Sequence, residues 1–192
     1  FDSVNLVLLL QKLKLKYSLD GRLLKFIVNY LSGREQCVVI GNSNSSLNPV
    51  LFGVPQGSIL GPILFVLFIN DLPEGLSPDT NLALYADDTK IWRTIHTELD
   101  HEILQNDIAY LNSWATLNKM KFHPQKCKVV SVTISPPPLM GILPDIQYIY
   151  CLGDNPLDYV DSEKDLGVEI NTKLNFNDQC NKISQKLTNG SA

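Results

Sequence analysis

Two adjacent aspartates, Asp87 and Asp88, close the tetrapeptide Tyr85-Ala86-Asp87-Asp88 between two apolar, β-prone runs, Asn81 to Tyr85 and Thr89 to Trp92. A carboxylate pair in that setting offers hard oxygen ligands to a divalent cation, and such a cation in turn holds phosphate oxygens. Aspartate is equally favoured at hairpin turns for conformational reasons, so the dipeptide alone leaves a structural role open. The stretch Gly53-Val54-Pro55-Gln56-Gly57-Ser58-Ile59-Leu60-Gly61-Pro62 shifts that balance. Its glycines allow a backbone to approach a ligand closely, Pro55 stiffens the turn, and Ser58 can cap the apolar run that follows. His96, His101 and His123 lack metal-ligand spacing and read as surface or packing residues.

Such a site needs elements to hold it. Leu6, Val7, Leu9, Leu10 and Leu13 recur at helical spacing with lysines opposite, which predicts an amphipathic helix from Val4 to Leu15. A second helix follows Asp20, a candidate N-cap, through Leu23, Leu24, Ile27 and Val28 to Leu31, and stops at Ser32-Gly33. Strands over Gln36–Ile40 and Leu47–Phe52, joined by the polar turn 41–46, suggest a hairpin. Ser58–Asn70 reads as a buried helix ended by Asp71-Leu72-Pro73, and Asn81–Trp92 as the hairpin that carries the aspartates. Leu99, Ile103, Leu104, Ile108, Leu111, Trp114 and Ala115 trace the packing face of a long helix, Glu98 to Asn118. Val129–Ile134 reads as a strand, Ser135–Pro138 as a proline-rich break, Ile146–Leu152 and Tyr159–Ile170 as further strands, and Asn177–Leu187 as a helix. Antiparallel hairpins without a run of βαβ units give the class α+β, with helices on one face of a small antiparallel sheet.

With 192 residues, 44% of them hydrophobic, the chain suits one domain, or one domain with part of a second. A formal charge of -4 argues against a self-sufficient nucleic-acid clamp, so any nucleic-acid role is local or completed by other segments. Cys37, Cys127, Cys151 and Cys180 are scattered without zinc-site spacing and read as reduced thiols of an intracellular protein. No signal peptide is seen, and the apolar run Ile59–Ile69 falls short of the roughly 20 residues that span a bilayer. No membrane partner is expected.

Phe1-Asp2-Ser3-Val4-Asn5, the GVPQGSILGP stretch running on to Ile69-Asn70-Asp71-Leu72-Pro73, and Tyr85-Ala86-Asp87-Asp88-Thr89-Lys90 follow one another in order. Trp114 with Asn118-Lys119-Met120-Lys121-Phe122, then Lys126-Cys127-Lys128, then Asp165-Leu166-Gly167-Val168 continue the series. Together they make the chain similar, from end to end, to reverse transcriptases of non-LTR (LINE-type, jockey-like) retrotransposons. The resemblance implies an RNA-directed DNA polymerase with a right-hand palm. Residues 1–176 would be palm with part of the fingers, lacking the first catalytic strand, and residues 177–192 the truncated start of a thumb or connecting helix.

By the same resemblance Asp87 is the main metal ligand and Asp88 the secondary one, for two Mg2+ ions with Mn2+ as a substitute. Successive strand residues face opposite ways, which is a physical reason to expect unequal roles unless the turn re-aims one of them. Phe1 would lie under the incoming sugar. Gln56 and Gly57 would contact the incoming nucleotide, with Pro55, Tyr85, Leu166 and Gly167 on primer and template, although a plain turn would also explain Leu166-Gly167. Lys126 would stand near the leaving pyrophosphate, while Lys119, Lys121, Lys126 and Lys128 equally fit a solvated basic face. Asp2 is set aside as a metal ligand, because the family's first catalytic aspartate precedes the aromatic by five residues. That position falls before residue 1, so the chain is expected to be inactive alone, with fingers, thumb and an endonuclease domain elsewhere in a parent polyprotein. The implied partners are an RNA template, a DNA primer or target and deoxynucleoside triphosphates, in a ribonucleoprotein of cytoplasm and nucleus. Phe52 and Leu6 depart from the family's usual serine and histidine, which fits a decayed copy and an alternative reading as a non-enzymatic nucleic-acid-binding remnant. An RNA-recognition module of the RRM type is disfavoured, since no strand carries its glycine-aromatic signature.

Overall fold

The computed structural model describes residues 1–132 and 148–189, so the end of the expected strand Val129–Ile134, the break at Ser135–Pro138 and the start of Ile146–Leu152 lie outside the described residues. The chain divides into two compact units, residues 1–122 and residues 123–192. Among the described residues, five α-helices and a set of two-stranded ladders make a mixed α+β fold. No helix among the described residues is long and apolar enough to cross a membrane.

In the first unit α1 (Leu6–Leu15) begins two residues later than the hydrophobic pattern suggests. Asn5 is its cap: the side-chain oxygen accepts the Leu8 N–H at 3.1 Å. Val4 is freed to enter the core, where Leu9 and Leu13 join it. Helix α2 (Gly21–Leu31) follows Asp20, whose side chain makes no capping bond, and buries Ile27 and Leu31. The expected hairpin forms, in two short pieces: β1 (Glu35–Gln36) pairs with β4 (Asn48–Pro49), and β2 (Val39–Ile40) with β3 (Ser43–Asn44). Between them the Ser45 hydroxyl takes the Val38 N–H at 2.9 Å, a slot that a strand carbonyl would otherwise fill.

Helix α3 (Leu60–Ile69) buries Leu64, Phe65 and Phe68, but it is not buried all round. Ile63 and Val66, and Ile59 just before the helix, face outward, so the expected buried helix is buried on one side: apolar content alone does not supply a partner for each face. Hairpin β5 (Asn81–Tyr85) with β6 (Asp88–Trp92) alternates as a half-buried sheet should. Leu82, Leu84 and Ile91 turn to the helical core while Ala83, Tyr85, Asp88 and Lys90 face out. Helix α4 (Glu98–Leu117) starts with a capping box of Thr97 and Asp100 and packs Ile108, Leu111, Trp114 and Ala115 inward, leaving Leu99 exposed.

A polar knot fastens these helices. Lys12 Nζ donates to Asp71 Oδ1 at 2.7 Å and to the Phe68 carbonyl at 2.8 Å, and Trp114 Nε1 donates to the same Asp71 oxygen at 3.1 Å. The ammonium also lies 4.7 Å from the Phe68 ring centre and 4.8 Å from that of Trp114. Burial lowers the Lys12 pKa, and the Asp71 bond opposes that shift.

The second unit pairs β7 (Lys128–Val129) with β10 (Asp158–Tyr159) in parallel, and β8 (Cys151–Leu152) with β9 (Asn155–Pro156) antiparallel. Hairpin β11 (Ser162–Asp165) with β12 (Val168–Asn171) precedes α5 (Asn177–Asn189). Among the described residues, separate ladders thus replace the single antiparallel sheet expected, and one of them is parallel. Most of these strands are two residues long, and Pro49 and Pro156 lie within them, where proline offers no N–H to extend a ladder.

Candidate active site

In the first unit, the segment 1–4 runs against the start of the glycine-rich loop. Gly53 N donates to the Val4 carbonyl at 2.8 Å and Val54 N to the Phe1 carbonyl at 3.2 Å. The approach is so close that a Cβ on residue 53 would stand 2.8 Å from Asp2 Cα, and the φ of +81° at Gly53 independently favours glycine. Arg34 braces this crossing, donating from Nη2 to the Gly53 carbonyl and from Nε to the Leu31 carbonyl. Ser58 Oγ donates to the Pro55 carbonyl at 2.7 Å and accepts the Gly61 N–H at 3.0 Å, which folds the loop onto the start of α3. The Phe1 ring stacks on Phe65 of that helix with centroids 4.5 Å apart.

Opposite the loop, Tyr85 and Asp88 form the last pair of the β5–β6 ladder, so Ala86 and Asp87 make the turn. Ala86 takes a φ of +52°, a conformation that costs a residue with a Cβ on the order of 1 kcal/mol. The turn re-aims Asp87. It lines an open cleft of about 380 Å³ together with Phe1, Asp2, Gln56, Gly57 and Pro62, whereas Asp88 stays on the exposed face of the hairpin.

Both carboxylates are exposed, and neither has a hydrogen bond or ion pair among the described residues. Unpartnered hard oxygens suit Mg2+, which keeps several waters and takes few protein ligands. No three His, Cys, Asp or Glu residues surround a common point among the described residues.

Against this geometry stands the sequence as a whole: residues 1–170 match the family described as reverse transcriptase (RNA-dependent DNA polymerase). The chain belongs to the reverse transcriptase family. It is 28% identical over 185 residues to the probable RNA-directed DNA polymerase from transposon X-element of Drosophila melanogaster, a match covering 92% of this chain and 19% of that protein. It is 27% identical over 179 residues to the RNA-directed DNA polymerase from mobile element jockey of the same fly, covering 90% and 19%. The counterpart from Drosophila funebris is 27% identical over 170 residues, covering 85% and 18%. The expected kinship with jockey-like, non-LTR reverse transcriptases is borne out, and this reverse transcriptase chain spans about a fifth of the length of those relatives.

Of the residues singled out from sequence, Phe1, Gln56, Gly57 and Asp87 share the cleft, and Pro55, half-buried, is not among its lining residues. Tyr85 lies exposed beside Asp88. In the second unit, Lys126 ends the exposed single turn Pro124–Lys126, and Leu166 and Gly167 form the β11–β12 turn. Two lining residues had no assigned role: Pro62, and Asp2, which sequence reasoning set aside. Their signal was adjacency, since each flanks or belongs to a motif whose other members line the cleft.

Proposed function

We propose that this chain is a palm with part of the fingers of an RNA-directed DNA polymerase from a jockey-like, non-LTR retrotransposon. The parent reaction extends a DNA 3′ end on an RNA template with deoxynucleoside triphosphates. The observation that carries the reading is the cleft where Asp87 stands beside Phe1, Gln56 and Gly57, in a chain of this family.

Asp87 serves as the main metal ligand and Asp88 as the secondary one, for two Mg2+ ions that Mn2+ can replace. When bound, such ions supply charge neutralisation at phosphate oxygens and activation of the primer hydroxyl. Phe1, held by its stack on Phe65, limits the room beside the incoming sugar. Gln56 and Gly57 contact the incoming nucleotide, and Pro55 and Tyr85 the template and primer. For the second unit the resemblance assigns Lys126 to the leaving pyrophosphate and Leu166-Gly167 to the primer end. Residues 177–192 begin the thumb, and the rest of the fingers, thumb and an endonuclease belong to the longer polypeptide.

The test is primer extension on an RNA template by the intact gene product. Asp87→Asn is expected to lower metal-dependent synthesis by about a hundredfold or more while template binding persists. Undiminished synthesis overturns the assignment. A wild-type product that binds nucleic acid without ever extending a primer supports the other reading, a non-enzymatic remnant.

A further inference from the structure

Asp2 is exposed, yet its carboxylate is committed. Gln56 Nε2 donates to Asp2 Oδ1 at 2.8 Å and to Oδ2 at 2.9 Å, across 54 residues of sequence. A carboxylate only accepts, so the Gln56 amide has one way round: its amino group on Asp2 and Oε1 on the free edge. Both ends of the bridge stand on braced backbone. Asp2 sits between the two bonds that tie Phe1 and Val4 to Val54 and Gly53, and Gln56 follows Pro55, whose carbonyl is held by Ser58.

We propose that Asp2 is a positioning residue of the cleft, fixing Gln56 so that it offers its carbonyl oxygen, and not its amino group, to the occupant. The inference rests on the reading of this cleft as a nucleotide site. The side-chain groups left free there are then oxygen acceptors, Gln56 Oε1 and the Asp87 carboxylate, so the nucleotide meets residue 56 through a hydrogen-bond donor, a hydroxyl or an amino group. An amide free to turn would accept donors and acceptors alike and lose that discrimination.

Two readouts test this. On the 192-residue chain, nuclear magnetic resonance of the Gln56 side-chain amide is expected to show protons shifted by the carboxylate, and Asp2→Asn to return them to the range of free glutamines. In the intact gene product, Asp2→Asn is expected to raise the KM for deoxynucleoside triphosphate roughly three- to tenfold with kcat held within about twofold. The double variant Asp2→Asn with Gln56→Glu rebuilds the pair with the donor on residue 2 and keeps an acceptor at residue 56, so it is expected to recover most of the lost affinity. Amide resonances indifferent to Asp2→Asn, or an unchanged KM in an active enzyme, overturn the positioning role and leave the polymerase reading standing. A wild-type product without synthesis removes the polymerase reading, and the amide resonances then decide whether Asp2 fixes Gln56.

Discussion

Hairpin β5–β6 in the first unit and hairpin β11–β12 in the second are each closed by a two-residue turn and each anchored to a following helix through a carboxylate. Just past β6, Arg93 donates from Nε to Asp100 of α4 at 3.1 Å and from Nη1 to the Pro78 carbonyl at 2.6 Å. In β12, Glu169 accepts the Ser162 hydroxyl at 2.9 Å and Lys182 Nζ of α5 at 2.6 Å. The turns differ. Leu166 and Gly167 both take positive φ, +47° and +90°, and glycine bears one of the two without strain. In the other turn only Ala86 is at positive φ, and the next residue is Asp87. The first of these turns carries Leu166 and Gly167 and no carboxylate; the other uses similar strain to swing a carboxylate from the hairpin face into a cleft. A strained backbone thus becomes part of a site only where the residue it re-aims has chemistry to offer and a loop to face.

The largest effect should come from separating the two aspartates. If the turn decides which of them works, Asp87→Asn costs the intact gene product at least about tenfold more synthesis than Asp88→Asn, because only Asp87 lines the cleft. Equal losses in primer extension would mean that position in the hairpin does not distinguish them. Next in size is Gly167→Ala, which places a Cβ at a φ of +90° and should cost the chain about 1–2 kcal/mol in denaturant unfolding. Its counterpart, Ala86→Gly, removes strain at some cost in unfolded-chain entropy and should stabilise by about 0.5–1 kcal/mol. If Ala86→Gly destabilises instead, the strain attributed to that turn is absent and the comparison fails.

Much of this hairpin logic was open to inspection in the residues. The β-prone runs Asn81 to Tyr85 and Thr89 to Trp92 mark the hairpin and Asp87-Asp88 its turn, because strand and turn chemistry are local properties, while the alternate burial of Leu82 and Leu84 is seen only in the structure. The glycines of the GVPQG loop suggest close approach to a ligand, and the structure shows Gly53 in close approach to another part of the chain, residues 1–4. What local pattern lacks is pairing at long range. Nothing in the spacing joins Asp2 to Gln56, Arg34 to the Gly53 carbonyl, or Lys12 to Asp71 and Trp114, since each pair depends on how separate elements pack. The exposed face of α3 shows the reverse: Ile63 and Val66, like Ile59 just before the helix, look like core by type, and type does not reveal whether a neighbour exists.

The smallest effect concerns the two anchors, and pH should tell them apart. The backbone N–H of His96, then the Thr97 hydroxyl and the Arg93 guanidinium, lower the Asp100 pKa to about 2 from its ordinary 3.8. The Lys182 ammonium first, and then the Ser162 hydroxyl, lower the Glu169 pKa from 4.5. Both folded values lie below the unfolded ones, so each anchor contributes fully above its unfolded pKa and is lost as pH falls through the folded one. Loosening should therefore begin below about 4.5 at β11–β12 and only below about 3.8 at β5–β6, where it runs on towards 2. A single ion pair near the protein surface adds little to global stability, so the measurement is local: amide exchange in each hairpin from pH 5 to 2, corrected for intrinsic rates. Protection of Val168–Asn171 should start to fall before that of Asn81–Trp92. The opposite order would show that the Arg93–Asp100 clamp, despite its additional N–H donors, is not what holds the aspartate-bearing hairpin to its helix.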